Sequence, residues 1–354
     1  MLPGGSAAVR LGIIGCGAIT GTAHLPAALS SADVELTALS DTNPARLRYL
    51  QRQHGLGPIV CGDYREAMRR VDAVILALPN HLHAPVGVEF LSRGIHVLSE
   101  KPLATTRDEC EQLCHAARST RAVLAVGLVT RFFPSTELTK RLIECPLLGE
   151  LQSFDYEYGT AGGWAALSGY TLARSTSGGG VLVVSGSHFL DRMIYLFGDV
   201  EVIGHCDDSR GGVEANSETW FAATVRGRSL QGRVRLSKTH QLGNRLRIVG
   251  EHGVLEVAEG QTRSVTHIPA DGAFRHEITA LRAPPAGKEP NYFQLQLEDF
   301  VRAILTGAPP MVDGEQGSKS VALAECCYRA ATPLHEPWSE ATLERLSMAA
   351  PARG

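Results

Sequence analysis

The chain has 354 residues, 44% apolar and 20% charged, with a formal net charge of −3. These values describe an ordinary globular protein of about two domains and exclude a strongly basic nucleic-acid binder. No apolar run approaches the ~20 residues that span a bilayer, and residues 1–8 lack the cationic start and apolar core of a secretory leader, so a cytoplasmic location is expected.

In chain order, residues 9–15 form a buried-strand pattern that runs into Gly15-Cys16-Gly17-Ala18-Ile19-Thr20, where a helix opens. The first glycine allows a tight turn and the second lets a pyrophosphate approach the backbone, while the helix N-terminus supplies free N–H groups. Gly21, next to Thr20, departs by one place from the usual third glycine. Residues 34–40 are a second strand, ending at Asp41, 21 residues past Thr20. An acid at that spacing binds the adenosine ribose hydroxyls and disfavours a 2′-phosphate, which points to NAD. Arg46 nearby either neutralises such a phosphate, which tempers that preference, or is a solvated helix residue, the reading favoured here. Residues 44–53 form a helix capped by Asn43, and residues 59–61 a short strand. The near-continuous apolar run 73–78 is a strand covered on both faces. It is followed by Leu78-Pro79-Asn80-His81-Leu82-His83, a loop at the carboxyl end of a parallel strand. Asn80 and His83 there either face a nicotinamide or cap and pack the next helix.

Residues 84–93 are helical and stop at Gly94; residues 95–99 are a strand that delivers Glu100-Lys101-Pro102. A helix over 107–119 and a strand over 123–127 complete an alternation that predicts a doubly wound parallel sheet. The expected division is a dinucleotide-binding domain over 1–130 and a substrate-binding and oligomerisation domain over 131–354. In the second part a helix covers 135–144, and residues 151–158 alternate as in a sheet with one wet face. Residues 159–180 are a long Gly/Ser/Thr/Tyr-rich loop of the functional kind. A helix follows over 181–197, then strands over 200–206, 218–225, 229–236, 245–249 and 253–257. A Pro/Gly-rich loop over 283–290 precedes closing helices over 293–305 and 315–329, and mobile ends are expected at both termini. The eight cysteines form no Cys-x-x-Cys pair and are expected as free thiols. Cys110, Cys114 and His115 share a helix face, but no complementary cluster suggests a metal.

The order and spacing of these residues resemble the Gfo/Idh/MocA family of nicotinamide-dependent sugar and cyclitol oxidoreductases. The resemblance runs over about residues 9–338. It rests on Gly15-Cys16-Gly17 with His24, Asp41, Leu78-Pro79-Asn80 with His83, and Glu100-Lys101-Pro102. Further on it rests on Gly178-Gly179-Gly180, Gly186, His188, Asp191, Asn244-Arg245-Leu246, Gly250 and Gly253. The resemblance implies a Rossmann domain followed by an open-faced, mostly antiparallel sheet domain. It implies that Lys101 works at the substrate, that Glu100 lines the cofactor site and that the Lys101–Pro102 bond is cis. Inositol-type members place an aspartate four residues before the histidine; here that position is Val184, so the usual Lys–Asp–His relay is incomplete.

These residues define the expected chemistry. Lys101 supplies positive charge at the reacting oxygen, and His188 takes the hydroxyl proton as base. Asp191 shares a helix face with His188 and either orients its ring, binds a substrate hydroxyl or serves as a structural partner. Tyr158, Trp164, Tyr170 and Arg174, on or beside the long loop, are candidates for substrate contact, and Tyr292 is a weaker one. The expected activity is NAD-dependent oxidation of a secondary alcohol of a sugar, amino sugar or cyclitol. The preferred case is a C3 hydroxyl, on a nucleotide sugar or an aminoglycoside, oxidised before transamination. Arg174 would suit the first substrate; Asp155, Glu157 and Asp191 would suit a cationic one. The alternatives are a glycosidase that oxidises transiently and eliminates, or a non-catalytic NAD-binding partner. The second sheet has helices for one face only, so its open face is expected to bury against another copy in a homodimer or homotetramer.

Overall fold

A computed structural model of the protein describes residues 8–57, 60–162, 169–280 and 290–334. The expected loop over 283–290 lies outside these residues except for its last position, as does Trp164, and so do the two termini. The first sheet contains β1 (Val9–Ile14), β2 (Val34–Ser40), β3 (Val60–Cys61), β4 (Ala73–Leu76), β5 (His96–Ser99) and β6 (Leu124–Val126). All its pairings are parallel and its order is β3-β2-β1-β4-β5-β6. Every β4 residue is fully buried, because helices cover both faces. Alternate side chains part company there. Val74 and Leu76 pack with α3 (His83–Leu91) and α4 (Arg107–Thr120). Ala73 and Ile75 pack with α1 (Leu25–Ser30) and with Leu297, Phe300 and Val301. Those three lie on α9 (Tyr292–Thr306), far along the chain. Helix α2 (Pro44–His54) starts where Asn43 accepts the N–H groups of Ala45 and Arg46, and α4 starts at a Thr106–Glu109 capping box.

After α5 (Pro134–Glu144) comes a nine-stranded, mostly antiparallel sheet. It contains β7 (Leu151–Gly159), β8 (Val200–Asp207), β9 (Asn216–Val225), β10 (Arg228–Ser237), β11 (Arg245–Gly250) and β12 (Gly253–Ala258). Three further strands, β13 (Ser264–Pro269), β14 (His276–Thr279) and β15 (Ala331–Pro333), were not expected from the sequence. They are short and polar and lie towards the sheet's two ends, where the neighbouring strand rather than the local pattern decides pairing. The expected two-domain, two-sheet architecture is therefore present: a Rossmann-type parallel sheet and a mostly antiparallel partner.

The long loop contains two short helical turns, Gly169–Leu172 and α6 (Arg174–Ser177). The single helix expected over 181–197 is two helices, α7 (Val181–Val184) and α8 (Ser187–Phe197). The chain tightens between them so closely that a Cβ on Gly186 would overlap the Leu182 carbonyl. Helix α10 (Gly314–Arg329) packs against both α4 and α8, and so against both halves of the molecule.

One face of the second sheet is apolar and rests on α8: Phe154 stacks on Phe197 with ring centres 4.7 Å apart, and Tyr156 and Tyr158 pack on Phe189. The opposite face is charged rather than apolar. Arg233 pairs with Asp155 at 2.9 Å and with Glu218 at 3.2 Å, Arg235 pairs with Glu157, and Arg275 pairs with Glu256 at 2.7 Å. Phe154 is 2% exposed and in ring contact, so Phe154→Ala should leave a cavity and cost about 3–5 kcal/mol. Urea unfolding followed by circular dichroism measures that loss; a cost under about 1 kcal/mol would show that the sheet and α8 are not packed this way.

Candidate functional site

The site lies where the carboxyl ends of the parallel strands meet the second half of the chain. At the β1 turn Gly15 has φ +98°, and a Cβ there would overlap the Ala77 carbonyl. A Cβ on Gly17 would meet nothing within 4 Å, so the turn offers bare backbone to an open side, as a pyrophosphate requires. Ala18 and Ile19 follow at the exposed head of the helix, which begins as a π-helical stretch, Thr20–His24. Asp41 is held at this turn: Oδ2 accepts the Cys16 N–H at 2.7 Å and Oδ1 the Asn43 N–H at 2.7 Å. Each oxygen keeps a lone pair for a ribose hydroxyl. Arg46 is not simply solvated. Its Nε donates to the Cys16 carbonyl at 2.9 Å and Nη2 to the Gly17 carbonyl at 3.3 Å, so it braces the turn. Cys16 is fully buried, and burial, with the nearby Asp41 charge, pushes its thiol up to about 12.

At the end of β5, Glu100 meets His24, with Oε1 2.8 Å from Nε2. The side chains of His24 and Glu100 are only 2% and 12% exposed. Burial by itself would raise the Glu100 carboxyl. The His24 hydrogen bond and charge, the Lys101 charge and the Lys101 N–H outweigh it and bring it down to about 2. The Lys101–Pro102 bond is cis. The Lys101 Nζ crosses to the second half of the chain and donates to the Val184 carbonyl at 2.8 Å. Burial pulls this amine down; Glu100 opposes that and Lys238, just beyond β10, adds to it. His188, at the start of α8, is brought down to about 3 by burial and then by the Lys101 charge, with a smaller push from Arg192. Its ring is therefore neutral at neutral pH, and its buried Nδ1 has no hydrogen-bond partner among the described residues.

The other expected residues are distributed differently. Asp191 is 1% exposed and clamped by Arg131, whose Nε and Nη2 donate to its two oxygens at 2.7 and 2.8 Å. Both its oxygens go to Arg131 rather than to His188, because a buried carboxylate goes to the strongest donor within reach. His83 is also withdrawn: its ring nitrogens sit 2.8 Å from the Pro102 carbonyl and 2.9 Å from that of Leu78, tying the Leu78-Pro79 loop to the Lys101–Pro102 turn. Buried Asn80 donates to the Ser177 carbonyl at 2.8 Å, a bond between the two halves rather than a helix cap. Tyr158 faces α8, with Phe189 5.0 Å away. Tyr170 does approach the centre: burial first, and the Glu100 charge second, raise its hydroxyl. Arg174 lies 4.4 Å over the Tyr328 ring, in a cavity of about 520 Å³ lined also by Pro102, Gly178, Ser187 and Arg329. Tyr292 packs on Phe133 at 4.7 Å. His24, Arg131 and Lys238 were not assigned roles from the sequence. Of these only Lys238 carries a local signal, as a cation just past the end of a strand.

Residues 9–128 match the family described as "Oxidoreductase family, NAD-binding Rossmann fold", and residues 140–337 match its "C-terminal alpha/beta domain". The chain belongs to the Gfo/Idh/MocA oxidoreductases. It is an NAD(P)-dependent dehydrogenase by family, and NAD is the cofactor its Rossmann turn fits. Among its relatives is a putative UDP-kanosamine synthase oxidoreductase subunit of Amycolatopsis mediterranei, 31% identical over 61% of this chain and 59% of that protein. The rhizopine catabolism protein MocA of Rhizobium meliloti is 28% identical over 89% of this chain and 93% of its own length. A 3-ketoreductase from Actinomadura kijaniata, solved with NADP and TDP-benzene, shares the fold. Its TM-score is 0.81 at 22% identity, over 93% of this chain and all of that one. Among the described residues, no helix is long and apolar enough to cross a membrane.

The Glu100 carboxyl titrates near 2 when folded and near 4.5 when free, so its contribution to stability is complete above about pH 4.5 and is lost as pH falls towards 2. The expected outcome is that wild type loses on the order of 3 kcal/mol more than Glu100→Gln across that window, by urea titration at several pH values. Parallel pH profiles for the two proteins would refute the His24–Glu100 pairing.

Proposed function

We propose that this dehydrogenase oxidises a secondary hydroxyl of a nucleotide sugar, with C3 as the favoured carbon and a ketone suited to transamination as product. The observation that carries this reading is the Lys101 amine, fixed on the Val184 carbonyl and near enough for its charge to help keep His188 neutral. Two features favour an anionic substrate over an aminoglycoside. The carboxylates that would attract a cation are all engaged: Asp155 by Arg233, Glu157 by Arg235 and Asp191 by Arg131. The centre itself holds Lys101, with Lys238 near enough to repel it. The names of two relatives, a UDP-kanosamine synthase subunit and a dTDP-sugar 3-reductase of Actinomadura kijaniata, support the same class.

NAD would be held by the Gly15–Gly17 turn, Asp41 and Glu100, and would supply the acceptor for the hydride of the carbinol carbon. The chain's own groups deal with the proton. His188, held near 3, is a weak base and serves as a neutral hydrogen-bond partner that orients the hydroxyl. Lys101, lowered by burial, lies closer to working pH and receives the proton. This reverses the base role expected from the sequence and leaves Lys101 in charge of the oxygen. Glu100 and Asp41 line the cofactor side, and Arg46, committed to the turn carbonyls, leaves Asp41 to select NAD over NADP. The charge-paired outer face of the second sheet is the surface through which a second copy would associate, as a homodimer or homotetramer.

The test is a screen of NAD and NADP reduction over UDP- and dTDP-sugars, cyclitols and aminoglycosides. A nucleotide sugar should give steady NADH formation, with NAD preferred. Turnover with aminoglycosides alone would overturn the substrate class, and product release without net NADH would indicate the transient-oxidation chemistry instead. On the active compound, Lys101→Ala should lower kcat about a hundredfold to a thousandfold and remove the acidic limb of its pH profile, whereas His188→Asn should keep that limb. Near-normal turnover of Lys101→Ala would remove the assignment.

A further inference from the structure

We propose that Glu214 is a positioning residue for Lys101: it anchors the one-turn helix α7, whose last carbonyl, that of Val184, holds the Lys101 amine. The inference rests on the reading of Lys101 just given. Three successive N–H groups converge on Glu214. Gly180 donates to Oε2 at 2.9 Å, Leu182 donates to Oε1 at 3.0 Å, and Val181 donates to the Glu214 backbone carbonyl at 2.8 Å. These are the groups that a helix start leaves unsatisfied. A third donor, the Tyr328 hydroxyl on α10, reaches Oε1 at 2.7 Å. Glu214 is 1% exposed, and its carboxylate is held by three protein donors. Burial pushes its carboxyl up, against these donors, which hold it down.

The seat is shaped for a glycine. A Cβ on Gly180 would overlap the Glu214 backbone, so the loop leading into β9 and the α7 turn touch main chain to main chain. From that seat the turn runs one way. Val184 N–H returns to the Gly180 carbonyl at 2.9 Å, and Ser185 and Gly186 N–H both return to Val181. Inward bonding of the amides leaves the Val184 carbonyl to take the Lys101 Nζ at 2.8 Å. A substitution at Val184 cannot remove this acceptor, because it is backbone. Only the frame that aims it can be disturbed, and Glu214 is the buried group on which that frame ends.

The other groups facing Lys101 are Glu100, next to it in the chain, Lys238, just past β10, and His188 on α8. None of them touches Glu214 through a hydrogen bond given above, so a Glu214 substitution isolates the carbonyl. Loss of an aligned acceptor disfavours the ammonium, and the Lys101 amine should then titrate lower still.

The experiment is competitive trace acetylation of the full chain with acetic anhydride, read by mass spectrometry across pH, which titrates each lysine without a substrate. Glu214→Gln should lower the apparent pKa of Lys101 by about half a unit or more while Lys140 and Lys319 stay where they are in wild type. Tyr328→Phe, a milder variant that removes one donor to the carboxylate, should move Lys101 the same way by less, and serves if Glu214→Gln does not fold. An unchanged or raised Lys101 titration in the folded variants overturns the proposal, as does an equal shift at Lys140, which would mean general loosening. Turnover of Lys101→Ala judges the catalytic reading separately: activity there would remove that reading and leave the acetylation result standing.

Discussion

The contact on which the site depends is a single hydrogen bond across the molecule, from the Lys101 amine at the end of β5 to the Val184 carbonyl at the end of α7. It joins a strand-end of the parallel sheet to a turn that belongs to the antiparallel one. Neighbouring bonds keep the same two surfaces in register: Asn80 reaches the Ser177 carbonyl, and His81 lies 3.2 Å from that of Thr176. A lysine with four rotatable bonds has much freedom to lose. Anchoring it at a backbone oxygen fixes its head group with a neutral acceptor.

Charge is handled the same way throughout the interior. Buried carboxylates are each given a partner: Glu100 has His24, Asp191 has Arg131, and Glu214 has backbone amides and Tyr328. An unpaired buried charge would be expensive. The consequence at the centre is that an amine and a neutral imidazole, Lys101 and His188, stand together. Carboxylates surround that pair but are already engaged.

Much of the first domain was legible in the sequence because its signals are local. The strand–glycine–helix order, the acid at Asp41 and the buried run of β4 each depend on residues close in the chain, and the strand ends fall within one or two residues of those expected. The family, the fold class and the cofactor followed from the same residues. The roles of particular side chains were harder to read. Asp191 and His188 share a helix face, yet Arg131, 60 positions earlier, takes the carboxylate. His83 looked available beside Asn80, yet the turn at Pro102 folds onto it. The break at Gly186 was hidden inside an apolar stretch that reads as one helix. For Asp191 and His83 the deciding partner is distant in sequence, and no local pattern encodes it.

Helix α9 covers one face of the first sheet although it is drawn from residues 292–306, beyond most of the second sheet. The Rossmann half is therefore not finished when its own strands are. Leu297, Phe300 and Val301 reach Ile13 and Ile75 only after nearly the whole of the second half has been made. During synthesis, which proceeds from the N-terminus, the first sheet waits with this apolar face covered only in part, by α1. The halves are thus bound by order of completion as well as by contact: the Rossmann half is sealed by a helix that follows most of the antiparallel one.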